Sequence, residues 1–296
     1  MIAGMPRAQL SIGIELEYDT FGDPADPALI LVMGLGTQMV AWHPRFCGML
    51  ADHGLFVVRF DNRDCGLSTR LEDMPVDVVG ALQAAVLGEP VTSPYTLSHL
   101  ADDVAGLLDY LELDGAHIAG VSLGGMIAQT FAIEHRERTT TLTSIMSSPD
   151  LMAFSEASPE AIALLFTPRP TDDSAALEAA LHSGQVLAGE FFDERAVLGY
   201  ERAASQRGGA YPMGTARQLC AIFGSGSREE MLRQLKVPTL VIHGEADPLI
   251  PPSAGRRTAE LIPGAELMMV EKMGHDLPMP LWPLLTDRIG EFVRST

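Results

Sequence analysis

The chain has 296 residues, a length that suits one large domain or two ordinary ones. Apolar residues make up 47 % and charged residues 20 %, enough for a sizeable core and unlike a disordered chain. The formal net charge of −19 repels phosphate backbones and anionic headgroups, so nucleic acid is not an expected partner.

Cysteine usage narrows the class further. Cys47, Cys65 and Cys220 cannot all pair and lack metal-ligand spacing, which excludes a disulfide scaffold and a zinc ribbon. The opening M-I-A-G-M-P-R-A-Q has no basic patch followed by an apolar stretch, so no signal peptide is expected. Apolar runs such as Ala28 to Val32 fall far short of the ~20 residues of a membrane helix. The expectation is a cytoplasmic protein without a transmembrane segment.

No internal repeat or low-complexity stretch interrupts the pattern. Continuous Val, Ile and Leu blocks predict strands at Leu29–Met33 and Leu55–Phe60. Residues 72–95 carry the apolar patch Ala81–Leu87. That patch reads either as an amphipathic helix closing a sheet edge or as a mobile flap over a site. A helix is predicted from about Ser98 to Leu111, because Leu100, Val104, Leu107, Leu108 and Leu111 share one face. Ser98 is the expected N-cap, with Asp102 and Asp103 complementing the positive end of the dipole.

The next predicted strand, His117–Val121, runs into a predicted helix, Met126 to His135. Further strands are expected at Thr141–Met146, Thr239–His243 and Glu266–Val270. Between the first two of these, helical patches at Ala161–Phe166 and Ala175–Leu181 come without a convincing strand. Strands separated by helices imply right-handed crossovers and a mostly parallel sheet. The fold class is therefore α/β. Residues 1–150 and 234–296 are expected to form its core, with 151–233 as a helical cap insertion.

Chemistry concentrates at Gly120-Val121-Ser122-Leu123-Gly124, between the predicted strand and helix. A serine on so sharp a turn needs neighbours without side chains, and the helix start aims N–H groups at a developing oxyanion. Ser122 is the candidate nucleophile. Its weak intrinsic nucleophilicity demands a base. His43, His53, His99, His117, His135 and His182 lie on helices, strands or early segments, where capping, solvated or core roles are the ordinary outcome. His275 instead follows the last predicted strand, in Lys272-Met273-Gly274-His275-Asp276. Loops at the C-terminal ends of strands are where open α/β sheets place ligands, so His275 is the candidate base. Two acids could orient it, Asp247 in Gly244-Glu245-Ala246-Asp247-Pro248 and Asp150 in Ser148-Pro149-Asp150.

Stabilising an oxyanion takes two backbone N–H groups. Leu123 offers one, and Leu35, in Met33-Gly34-Leu35-Gly36, offers the other. The alternative for that loop, a dinucleotide fingerprint, lacks its third glycine because Met39 stands there. A Walker A loop fails as well, since Met126 follows Gly125 where lysine is needed.

These segments carry a family resemblance. With Phe21–Pro24, Leu31–Gly36, Arg59–Ser68, Gly120–Gly125, Pro238–Pro248 and Met273–His275, the chain resembles the serine-dependent α/β-hydrolases. It is especially similar to small actinobacterial esterase/lipase-type proteins and to the aclacinomycin methylesterase type. The likeness is weakest from about 150 to 215. It implies an α/β-hydrolase fold, no cofactor and no metal. The order Ser122, Asp247, His275 matches that family, which favours Asp247 over Asp150. The loop Asp61–Ser68 is implied to be scaffold, and Met33, where many relatives have histidine, makes the entrance less polar.

The expected reaction is hydrolysis of a carboxylic ester, with a small-molecule ester and water as partners. Leu164, Leu165, Phe166, Phe191 and Phe192 suggest a hydrophobic acyl or alcohol group. Perhydrolase, thioesterase and carbon–carbon hydrolase chemistry are the alternatives that the same residues support. A non-catalytic ligand receptor is the alternative from another class.

Overall fold

The computed structural model describes residues 5–296, so the first four residues of the N-terminal segment lie outside the described residues. Two strands, β1 (Arg7–Gln9) and β2 (Glu15–Phe21), lead into β3 (Ala28–Val32), α1 (Pro44–Ala51) and β4 (Phe56–Phe60). Helices α2 (Val78–Leu87) and α3 (Leu97–Tyr110) precede β5 (Ala116–Val121), α4 (Leu123–Glu134) and β6 (Thr139–Ile145). Five helices follow without a strand: α5 (Pro159–Phe166), α6 (Asp173–Leu187), α7 (Glu194–Ser205), α8 (Pro212–Gly224) and α9 (Glu229–Leu232). The chain closes with β7 (Thr239–Gly244), α10 (Pro252–Leu261), β8 (Glu266–Val270) and α11 (Trp282–Arg294).

Among the described residues the strands form one sheet in the order β1-β2-β4-β3-β5-β6-β7-β8. β1 and β2 pair antiparallel with each other, and β2 pairs antiparallel with β4. Every later pairing is parallel. Residue parity divides the core. Ile30, Val32, Val58 and Ile118 face α3 and α4, where Val104, Leu107, Ile127 and Phe131 meet them. Leu29, Leu31, Val57 and Ala119 face the opposite way, onto Phe46 and Leu50 of α1 and Trp282, Ile289 and Phe292 of α11. Strands covered on both faces read as continuous apolar runs, which is why the predicted strands corresponding to β3 to β7 fall at their expected places; β8, at the sheet edge and partly exposed, also falls where it was predicted.

The start of α3 corrects the sequence expectation. Its N-cap is Thr96, whose N–H donates to Nδ1 of His99 (3.2 Å), while the Ser98 hydroxyl donates to Glu134 (2.7 Å). Asp102 and Asp103 lie beyond the first turn. Asp102 pairs with His135 (2.9 Å) and Asp103 is buried against Arg63 (2.6 Å), so both are engaged in pairs rather than at the dipole. The apolar patch at 81–87 is helical, as α2, and α2 packs chiefly on α8, one of the helices between β6 and β7. No helix among the described residues is long and apolar enough to cross a membrane.

His117, buried in β5, faces Thr141 Oγ1 across the β5–β6 pair at 2.9 Å. Burial pushes its imidazole down to about 4. In the unfolded chain a histidine titrates near ~6.5. Between those values the unfolded state binds a proton that the folded state refuses, so stability falls as the pH falls through this window. His117→Gln is expected to flatten that slope, read from urea midpoints between about pH 7 and pH 4. An unchanged slope would assign the acid sensitivity elsewhere.

Candidate active site

Ser122 links the buried strand β5 directly to α4, at φ 54 and ψ −120. Such a backbone is strained for a residue with a Cβ and persists only where its surroundings hold it. Here Ser122 N–H donates to Ile145 O of β6 (2.9 Å). Its carbonyl accepts from the Ser147 hydroxyl (2.8 Å) and from Gly125 N–H (2.9 Å). The glycines around it are dictated by space. A Cβ on Gly120 would strike Gly124 O, and one on Gly124 would strike Val32 O. Gly124→Ala should therefore destabilise the fold by about 1–3 kcal/mol through overpacking. Thermal denaturation of the purified variant measures this, and an unshifted midpoint would contradict the packing argument.

The loop after β3 lies against this turn, since a Cβ on Gly34 would sit 3.4 Å from Ser122 Cβ. Gly34 to Thr37 form a tight turn closed by Thr37 N–H to Gly34 O (3.3 Å), with Gly36 at φ +60. Thr37 Oγ1 donates to Leu35 O (3.0 Å). The N–H groups of Leu35 and Leu123 donate to no protein acceptor among the described residues. Met33 is half-buried, its side chain packed on the α1–α11 side of the core, and its carbonyl accepts from Asn62 Nδ2 (2.9 Å).

His275 arrives from the other end of the chain. Its N–H donates to Leu187 O at the end of α6 (2.7 Å), and Gly274 comes so close to that carbonyl that a Cβ would clash. The ring bridges two elements. Nδ1 lies 2.8 Å from Asp247 Oδ2, and Nε2 lies 3.0 Å from Ser122 Oγ. Asp247, in the turn after β7, is buried. Its Oδ1 accepts from Leu249 N–H and Ile250 N–H, both at 2.9 Å. Burial works against its charge, yet His275 and His243 together hold the carboxyl well below the usual range. An ionised carboxylate only accepts, so Nδ1 carries the imidazole proton and Nε2 is left to accept from the serine hydroxyl.

The structure thus brings Ser122, His275 and Asp247 together and keeps Asp150 apart. The Asp150 carboxylate accepts from Met152 N–H (2.9 Å), a local cap beyond β6. Of the other histidines weighed in the sequence, His43 caps α1, His53 meets Asp287 (3.2 Å), His135 stacks on Phe131, His99 and His117 make the contacts given above, and His182 is exposed on α6. One histidine escaped the sequence reading. His243, buried at the end of β7, donates from Nε2 to Ile250 O (2.8 Å) and stands 3.5 Å from Asp247 Oδ2. Lying inside an apolar strand, it carries no spacing signal.

The charged loop after β4 is spent on hydrogen bonds. Arg63 binds Asp103 through two contacts of 2.6 Å. Asp64 binds Arg217 of α8 through two of 2.8 Å, and Asp61 receives Arg207 at 2.6 Å. Phe166 stacks on Phe223 of α8, whereas Phe191 and Phe192 line an open recess with Leu198 and Pro280. Among the described residues no three His, Cys, Asp or Glu side chains are grouped as a metal site requires.

Comparison with known proteins agrees with this fold. The family model for the alpha/beta hydrolase fold matches residues 27–280. Rhodomycin D methylesterase DauP of Streptomyces sp. (strain C5) is 30 % identical over 95 % of this chain and 96 % of its own. The bifunctional esterase/perhydrolase DCH of Acinetobacter calcoaceticus is 24 % identical over 96 % of this chain and 97 % of its own. Among solved structures, the meta-cleavage product hydrolase CumD of Pseudomonas fluorescens IP01 superposes with a TM-score of 0.77. At 21 % identity over 98 % of this chain and 97 % of that one, it is a likeness of fold alone. The chain belongs to the α/β-hydrolase fold family and is an enzyme of the serine-hydrolase type.

Proposed function

We propose that the protein hydrolyses a carboxylic ester of a hydrophobic small molecule through an acyl-enzyme. The observation that carries this reading is the unbroken chain Asp247 Oδ2–His275 Nδ1 (2.8 Å) and His275 Nε2–Ser122 Oγ (3.0 Å). Ser122 attacks the acyl carbon as His275 takes its proton. Asp247 fixes the imidazole tautomer and stabilises the cation that forms. The N–H groups of Leu35 and Leu123 receive the oxyanion. His275 then protonates the departing alcohol, and water activated by the same imidazole releases the acid.

Residues 1–150 and 234–296 supply all five of these groups, and 151–233 serve as the helical cap over the pocket. Phe191 and Phe192, which line a recess with Leu198 and Pro280, and the partly exposed Phe166 are apolar side chains of that cap that support a hydrophobic substrate. Similarity to rhodomycin D methylesterases supports a carboxylic ester as substrate class. Similarity to an esterase/perhydrolase supports a second reading, in which hydrogen peroxide replaces water in deacylation.

The test is a series of p-nitrophenyl esters of increasing chain length, with methyl esters and thioesters alongside and peroxide as an alternative acceptor. Ester turnover is the expected dominant activity. A larger rate with peroxide or thioester would transfer the assignment to that chemistry. Failure of a fluorophosphonate to label the protein, with no turnover of any ester, would point to a ligand receptor.

A further inference from the structure

We propose that Gln218 is a positioning residue for the oxyanion loop, an inference that rests on the esterase reading above. Gln218 lies on α8 and is fully buried. Its Oε1 accepts from Gly36 N–H at 2.8 Å, and its Nε2 donates to Arg63 O at 2.8 Å. The two contacts fix the amide's orientation. Reversing it would set NH₂ against N–H and carbonyl against carbonyl.

On its other side this bridge is anchored. The Arg63 guanidinium is held by Asp103 of α3 through two contacts of 2.6 Å. Gln218 therefore ties the turn after β3 to a rigid core loop, although it is itself carried by a helix between β6 and β7. The fit of α8 against the turn is close. A Cβ on Gly36 would strike Thr215, one helical turn before Gln218.

The consequence lies in which N–H remains for the substrate. Leu35 O is engaged by Thr37 Oγ1, and Gly36 N–H is engaged by Gln218. Leu35 N–H has no protein acceptor among the described residues. Gln218 withdraws the Gly36 donor and fixes the orientation of the central peptide of the turn, where Gly36 takes φ +60. Without that acceptor the peptide is held only by Thr37 Oγ1 on its carbonyl, and the turn that carries the Leu35 N–H is less firmly fixed. Donors at an oxyanion act because they are already placed when charge develops.

The experiment compares wild type with Gln218→Met, which keeps the volume and loses both polar ends. Each is assayed on a p-nitrophenyl ester and on the matching thionoester, whose sulfur is a poor hydrogen-bond acceptor. The expected result for Gln218→Met is a kcat on the ester lower by about 10- to 100-fold with KM little changed. The thionoester rate should fall much less, so the ester-to-thionoester ratio collapses. An equal loss on both substrates, or an ester kcat within about twofold of wild type, overturns the proposal. Should Gln218→Met fail to fold, Gln218→Ala decides, because it also removes the acceptor at Gly36. A collapsed ratio supports the proposal, and a ratio within about threefold of wild type overturns it. Wild type inactive on the ester overturns the esterase reading and this inference with it; an active wild type beside an unaltered Gln218→Met overturns the inference alone.

Discussion

Replacing Ser122 with alanine is expected to lower kcat on an activated ester by about 10⁶-fold, the scale at which a serine triad loses its nucleophile. The fold should survive. The strained backbone at φ 54 is held by Ile145 O, Ser147 and the glycines around it, and none of those contacts uses the hydroxyl. A residual acceleration of roughly 10³-fold over water is expected, because backbone donors and substrate binding remain. The measurement is kcat for purified protein whose circular dichroism matches wild type. A variant that keeps more than about a tenth of wild-type kcat would show that another group attacks the substrate.

The second large effect concerns the acid. Asp247→Asn should leave the fold intact, since the amide oxygen can still accept from Leu249 and Ile250 N–H. What changes is the face toward His275. An amide NH₂ there makes Nδ1 the acceptor, so the proton moves to Nε2 and confronts the Ser122 hydroxyl. That wrong tautomer costs about 10⁴-fold in kcat in a serine-protease triad. The wild-type carboxyl is held below the ordinary range, so it stays ionised throughout neutral and mildly acid assays. The neutral His275 imidazole therefore keeps the same tautomer across them. Asp150→Asn is expected to cost less than about tenfold, because that carboxylate caps Met152 and makes no contact with His275. A crippled Asp150→Asn beside a near-normal Asp247→Asn would move the acid to the loop after β6.

Much of this was legible because its physics is local. The strands β3 to β7 are buried on both faces and announce themselves as apolar runs, and the turn at Ser122 needs glycines at fixed offsets. His275 stood out by its place just past strand β8, whereas Asp247, just past β7, was favoured over Asp150 by chain order and its turn before Pro248 rather than by position alone. The first two strands were not. β2 alternates Leu16 and Tyr18 with Glu15, Glu17 and Asp19, and its charges find partners only in the folded state. Asp19 meets Arg59 of β4 (2.7 Å), and Glu17 meets Arg207 (3.1 Å), 190 positions away. The N-cap of α3 was misplaced by two residues because Thr96 and Ser98 are equivalent until His99 and Glu134 choose between them. His243 under Asp247 and Gln218 against Gly36 were invisible for the same reason. Each acts through a contact that no spacing along the chain encodes.

In the proposed reaction Ser122 carries the acyl group between two half-reactions. The most direct test of that role is an acid quench of the enzyme during turnover of a p-nitrophenyl ester, followed by peptide mass spectrometry. An adduct of the acyl mass is expected on the peptide containing Ser122, absent from Ser122→Ala and disappearing once substrate is exhausted. Steady ester turnover with the adduct on another residue would contradict that role.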